Sequence, residues 1–86
     1  MKYDLARHSC GITFEEGEIH AGKRLLLEGE LTRTCFEFYR NPMGWYYIDK
    51  RGLGTSCQVK EADKDEIIKF VIETGKKQGY TFVCIS

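Results

Sequence analysis

The chain has 86 residues and a mass of 10.0 kDa, which excludes a second domain, since chains divide only beyond roughly 250 residues; residues 1–86 read as one unit. Apolar residues make up 42% and charged residues 30%, with one Pro and nine Gly, a globular rather than a disordered composition. Thirteen Lys and Arg balance thirteen Asp and Glu, so no net field draws the protein to phosphate backbones or anionic lipid, and nucleic acid is disfavoured as a partner.

The N-terminal MKYDLARHSCG lacks the apolar core of a secretory signal. The longest apolar runs, Trp45 to Ile48 and Phe82 to Ile85, are four residues each, far short of the roughly 20 that a membrane helix needs. Both observations point to a cytoplasmic protein. Ile12 and Phe14 alternate as a first strand before a turn at Glu15-Glu16-Gly17. EIHAG (18–22) and KRLLLEGELT (23–32) read as two short strands joined around Ala21 to Lys23. In the second, Leu25, Leu27 and Leu31 share one face while Arg24, Glu28 and Glu30 share the other, and Gly29 marks a bulge or bend. CFEFYR (35–40) and WYYIDK (45–50) flank Asn41-Pro42-Met43-Gly44, which suits a type I turn and predicts a hairpin.

A helix is predicted over about 64–78. Asp63 is placed as N-cap with Glu66 three residues on, Ile67, Ile68, Val71 and Ile72 form an apolar stripe, and Lys76 and Lys77 precede Gly79 at the C-terminal end. Gly75, on the stripe, predicts close approach to a sheet. The final YTFVCI, about 80–85, is apolar on both faces and reads as a central strand. Strands in series with a single helix imply an α+β domain: a mostly antiparallel sheet of about five or six strands, packed against one helix in the C-terminal half.

No motif for catalysis, metal or cofactor emerges, and the expectation is no enzyme, no metal site and no cofactor. Cys10, Cys35, Cys57 and Cys84 are 25, 22 and 27 positions apart, unlike the close ligand pairs of zinc sites, and they read as reduced thiols acting as small core side chains. His8 and Cys10 share a strand face by alternation, but neither His8 nor His20 is marked as a nucleophile's partner. RGLGTS (51–56) forms either an anion-binding nest or a plain turn.

Two surface features remain. Phe36, Phe38, Tyr39, Trp45, Tyr46 and Tyr47 cluster beside Arg40, Lys50 and Arg51, and alternation leaves Tyr39, Tyr46 and either Trp45 or Tyr47 outside as anchors for a protein or stacking platforms for single-stranded bases. Glu15, Glu16, Glu18, Glu28 and Glu30 gather against Lys23 and Arg24. If the 18–22 and 23–32 strands pair, Glu18 comes near Glu28 and the five carboxylates form one acidic edge, able to dock a basic protein.

The sequence EIHAG, KRLLLEGEL, CFEFY, then DKDEIIKFVIETGKKQGYTFVC as capped helix and terminal strand, resembles the small α+β immunity proteins of bacterial polymorphic-toxin and contact-dependent growth-inhibition systems. The resemblance covers residues 18–86 apart from NPMGWYYIDKRG, and lies in the order of elements. It implies a non-enzymatic inhibitor that binds its cognate toxin domain, often a nuclease, and occludes the active or substrate-binding surface. The binding residues expected on physical grounds are Glu15, Glu16, Glu18, Glu28, Glu30, Tyr39, Trp45 and Tyr46. The alternative is a small nucleic-acid-binding or regulatory module using the aromatic and basic hairpin.

Overall fold

The alternating leucines build the spine of the molecule. In the computed structural model, which describes residues 1–48 and 55–85, Arg24–Leu31 forms strand β3, with Leu25 and Leu27 fully buried and Leu26, Glu28 and Glu30 exposed, the two-residue period of a half-buried strand. Around it lie β1 (Lys2–Leu5), β2 (Ser9–Thr13), β4 (Cys35–Tyr39), β5 (Tyr46–Ile48), β6 (Thr55–Gln58), helix α1 (Glu61–Lys77) and β7 (Thr81–Ile85). The strands form one sheet in the order β1-β2-β3-β4-β7, with β5 attached to β3 and β6 to β5. All pairings are antiparallel except β4 with β7. The domain is α+β, as the residue pattern predicts.

One face of the sheet is closed by the helix. Ile67 and Val71 of α1 join Ile12, Leu25, Leu27, Phe36, Phe38 and Phe82 in a single buried cluster, and Phe70 packs 5.8 Å from the Phe14 ring. Among the described residues no element covers the other face.

The helix ends as its residues dictate. Gly79 has φ 84, and Gly79 N–H and Tyr80 N–H donate to the carbonyls of Lys76 and Gly75 at 3.1 and 2.8 Å, the paired bonds of a Schellman closure. A Cβ at Gly75 would fall on the Phe82 ring, so this glycine permits the predicted close approach. The start differs from expectation: Lys60, in extended conformation and without a side-chain cap, is the N-cap, and Asp63 sits inside the first turn. Acidic Glu61 favours the earlier start, because its charge meets the positive end of the helix dipole. Arg40 holds it there, donating to Glu61 Oε1 at 3.1 Å and to Asp65 Oδ1 at 2.9 Å.

Four further expectations are corrected. Residues 18–22 are turn rather than strand, since Gly17, His20 and Gly22 all have positive φ and the Glu18 carboxylate accepts the Glu15 N–H at 2.6 Å. β4 and β5 do not form a hairpin: β4 pairs with Gly29–Leu31 and β7, while β5 pairs with Arg24–Leu25 and β6, which lets Phe36, Phe38 and Tyr47 all reach the core. β7 is an edge strand, bonded to β4 alone, with only Phe82 fully inward and Val83 36% exposed. Of the bulge or bend expected at Gly29, the bulge is absent, since the register of β3 against β4 is regular there, and the residue is required because a Cβ would fall on the Glu37 carbonyl and lie 2.7 Å from Phe38 Cα. Strands β1 and β6 have no counterpart in the reading of the residue pattern. Asp49, Lys50, Arg51 and most of the 51–56 stretch lie outside the described residues.

Candidate functional site

The site follows from what the helix leaves bare. Register places Glu30 of β3 directly opposite Glu37 of β4, and Glu37 beside Val83 of β7. Glu28 lies on the same face two residues before Glu30, and Leu26 two before that. Leu26, Tyr39, Tyr46 and Val83 are exposed by 36 to 43%, and Met43 fully so. The open face is therefore a row of carboxylates set among apolar and aromatic side chains.

Its charges are unbalanced locally. Among the described residues neither Glu28 nor Glu37 has an ion pair, and Glu30 meets only the exposed His8, 3.1 Å away. Arg24, the cation of the same strand face, turns the other way, across Gly11 toward Asp4 at 3.6 Å. Two like charges directly across a ladder are unfavourable.

The eight expected binding residues divide. Glu28, Glu30, Tyr39 and Tyr46 come together on this face. Glu15, Glu16 and Glu18 belong to the β2–β3 connection at the opposite end of β3, because Glu28 pairs with Ser9 while Arg24 pairs with Thr13; the single acidic edge does not form. Trp45 is 2% exposed and Tyr47 3%, so neither is an outside anchor: they share the inward phase, and Val59 N–H donates to the Trp45 carbonyl at 2.8 Å. Sequence reasoning passes over Glu37, Leu26 and Val83. Glu37 between inward Phe36 and Phe38 is legible as outward, but nothing local shows that it faces Glu30.

Glu18 is occupied structurally. Its Oε2 accepts from the Met1 ammonium at 2.6 Å. Burial pushes the Glu18 carboxyl up, but the hydrogen bonds from that ammonium and from Glu15 N–H, with the ammonium charge, outweigh it and hold the group below its ordinary value. A lowered folded-state value contributes stability at pH above the unfolded value, lost as pH falls through the folded one. Glu18→Gln is thus expected to cost about 1 kcal/mol at neutral pH and less at about pH 3, below the ordinary carboxylate value. Thermal melts at the two pH values check this; an equal cost at both would remove the charge from the explanation.

Two polar clusters lie around α1. His20 Nδ1 is 3.0 Å from the Tyr47 hydroxyl, and Nε2 faces Glu66 at 3.3 Å. Burial, reinforced by the charges of Asp63, Cys57 and Glu66, pushes the Tyr47 phenol up to about 12, keeping it protonated. The cluster ties the β2–β3 connection and β5 to the helix. Lys64, 5% exposed, donates to the Arg40 carbonyl at 3.2 Å, meets Glu61 at 3.3 Å and lies 5.3 Å over the Trp45 ring. Its burial is not foreseen by the helix stripe, and it holds Trp45 in the core, while the partly exposed Arg40 guanidinium is engaged by Glu61 and Asp65.

The thiols are all free, but only Cys10 is a core side chain. Burial first, then Asp4, pushes it up to about 12, far from the thiolate that a nucleophile requires. His8 and Cys10 do not share a face: His8 precedes β2 and is exposed beside Glu30. Cys35 and Cys84 are half-buried and Cys57 is exposed. Among the described residues no group of three or more His, Cys, Asp or Glu is arranged to hold a metal ion, and no helix is long and apolar enough to cross a membrane.

Fold and site together define a small two-layer α+β domain with one uncovered, acidic and aromatic sheet face. No protein-family model, curated protein or solved structure matches the chain.

Proposed function

We propose that this domain acts by binding rather than by catalysis, as an immunity protein that docks its open sheet face on the basic active or substrate-binding surface of a cognate bacterial toxin domain, inside the cytoplasm of the producing cell. The observation that carries the reading is the row Glu28, Glu30 and Glu37 on the uncovered face, whose one ion-pair contact among the described residues is His8 at Glu30, bordered by Leu26, Tyr39, Tyr46 and Val83. A face of this kind supplies both parts of a tight interface: carboxylates that steer a cationic partner, and apolar anchors that hold it. The unfavourable Glu30–Glu37 opposition is relieved when a cation sits between the two. The toxin itself comes from the resemblance to immunity proteins, which, with 18–22 a turn, rests on the order of β3, β4, α1 and β7.

The test is co-expression with the toxin domain encoded beside this chain. The expected result is restored growth and a stoichiometric complex whose association rate falls about tenfold or more between about 0.05 and about 0.5 M salt. No protection together with no complex would overturn the proposal.

A further inference from the structure

The sheet is split beside its spine. On the side of β3 that faces β4 and β5, β5 pairs with Arg24 and Leu25, and β4 pairs with Gly29 to Leu31. Neither ladder includes Leu26, Leu27 or Glu28. The two branches diverge because the Asn41-Pro42-Met43-Gly44 segment separates them instead of closing a hairpin. The gap opens on the uncovered face as a groove of two contiguous hollows, about 660 and 180 Å³, sharing Glu28, Gly44 and Tyr46. Leu26 and Ile48 complete the inner hollow, and Asn41, Pro42 and Met43 the outer one.

This groove has two chemistries. Its walls are mainly apolar or aromatic, with the polar Asn41 on the outer hollow and the Tyr46 ring seated against Gly44, where a Cβ would lie 2.9 Å from Tyr46 Cε2. Among the described residues its one charged lining residue is Glu28, which has no ion pair there. Arg24, the nearest cation along the strand face, is directed to Asp4 instead. An apolar anchor alone would leave Glu28 desolvated and unpaired, which is costly. A small anion would be repelled. A long side chain with an aliphatic stem and a cationic head satisfies both chemistries, the stem lying along Leu26 and Tyr46 and the head reaching the carboxylate, with the tyrosine ring adding cation–π attraction.

We infer that the groove seats a single arginine side chain projecting from the protein partner, a deeper form of the proposed docking that rests on that reading. Arginine is favoured over lysine because its planar head pairs with a carboxylate in two parallel hydrogen bonds and stacks on an aromatic face.

The probe is the capped tripeptide Gly-Arg-Gly, titrated into the ¹⁵N-labelled protein beside its citrulline counterpart, which keeps the shape without the charge. The expected result is saturable shifts centred on the amides of Leu26, Glu28, Gly44 and Tyr46, about tenfold weaker binding of the citrulline peptide, and about tenfold weaker binding of the arginine peptide to Glu28→Gln. Glu30→Gln, outside the groove, is expected to change the arginine peptide's affinity by less than about twofold. Equal binding of the two peptides, shifts centred on Glu30 and Glu37, or no saturable shift would each overturn the inference. A toxin complex that forms normally while the peptide fails rejects the groove alone; loss of the complex itself rejects the docking reading beneath it.

Discussion

Replacing Gly29 with alanine is expected to cost about 3 kcal/mol or more, lowering the melting temperature by about 12 °C or more. The added Cβ would fall on the Glu37 carbonyl and lie 2.7 Å from Phe38 Cα. Both obstacles are backbone, so no rotamer change makes room, and β3 must part from β4 where its pairing with that strand begins. Against a total stability of about 4–13 kcal/mol for a chain of this length, such a loss is severe. Gly75→Ala meets instead the Phe82 side chain, which can tilt, and alanine recovers about 1 kcal/mol of helix propensity; its net cost should be distinctly smaller. Denaturant melts of the two variants settle the order. A cost for Gly29→Ala below about 1 kcal/mol would mean that the strand pair relaxes freely, contrary to the interlocked packing described.

Reversing the open face is expected to separate binding from stability. Glu28→Lys with Glu30→Lys should weaken binding to the toxin domain at least about a hundredfold, since each carboxylate that attracted a cation becomes a repelling charge. The melt should stay within a few tenths of a kcal/mol or rise slightly, because both positions are exposed and the ammonium introduced by Glu30→Lys would face Glu37 as an opposite charge across the ladder. Glu15→Lys with Glu16→Lys, at the far end of β3, is the matched control, expected to change affinity by less than about threefold. Calorimetric titration of the two double variants distinguishes the faces. Affinity lost in the control and kept in the Glu28 and Glu30 variant would move docking to the β2–β3 connection.

The contrast between those two acidic groups shows what residue order alone conveys. Residue order brings Glu18 and Glu28 together only if 18–22 pairs with 23–32 as a strand. The residues that prevent this, His20 with its left-handed backbone and Glu18 with its bond to the Met1 ammonium, act through partners that become visible only when the chain ends and loops are in place. Trp45 and Tyr46 make the same point at one residue's distance. Alternation states that neighbours in a strand point to opposite faces, but not which face will be covered. Here Val59 and Lys64, distant in sequence, draw Trp45 inward and leave Tyr46 outside.

Local interactions determined by the sequence itself include the α+β class, the outward side of β3, the apolar side of α1 and its closure at Gly79. Each rests on contacts within a few residues: strand period, helix period, or a glycine free to take positive φ. Tertiary structure alone decided that β4 and β5 part beside β3, that β7 lies at an edge, and that Glu28, Glu30, Glu37, Tyr39 and Tyr46 share one uncovered face. Those outcomes depend on which strands become neighbours, and neighbours are chosen by the joint burial of Phe36, Phe38, Tyr47 and Phe82 beneath one helix, a competition among distant side chains that no short stretch of the chain records.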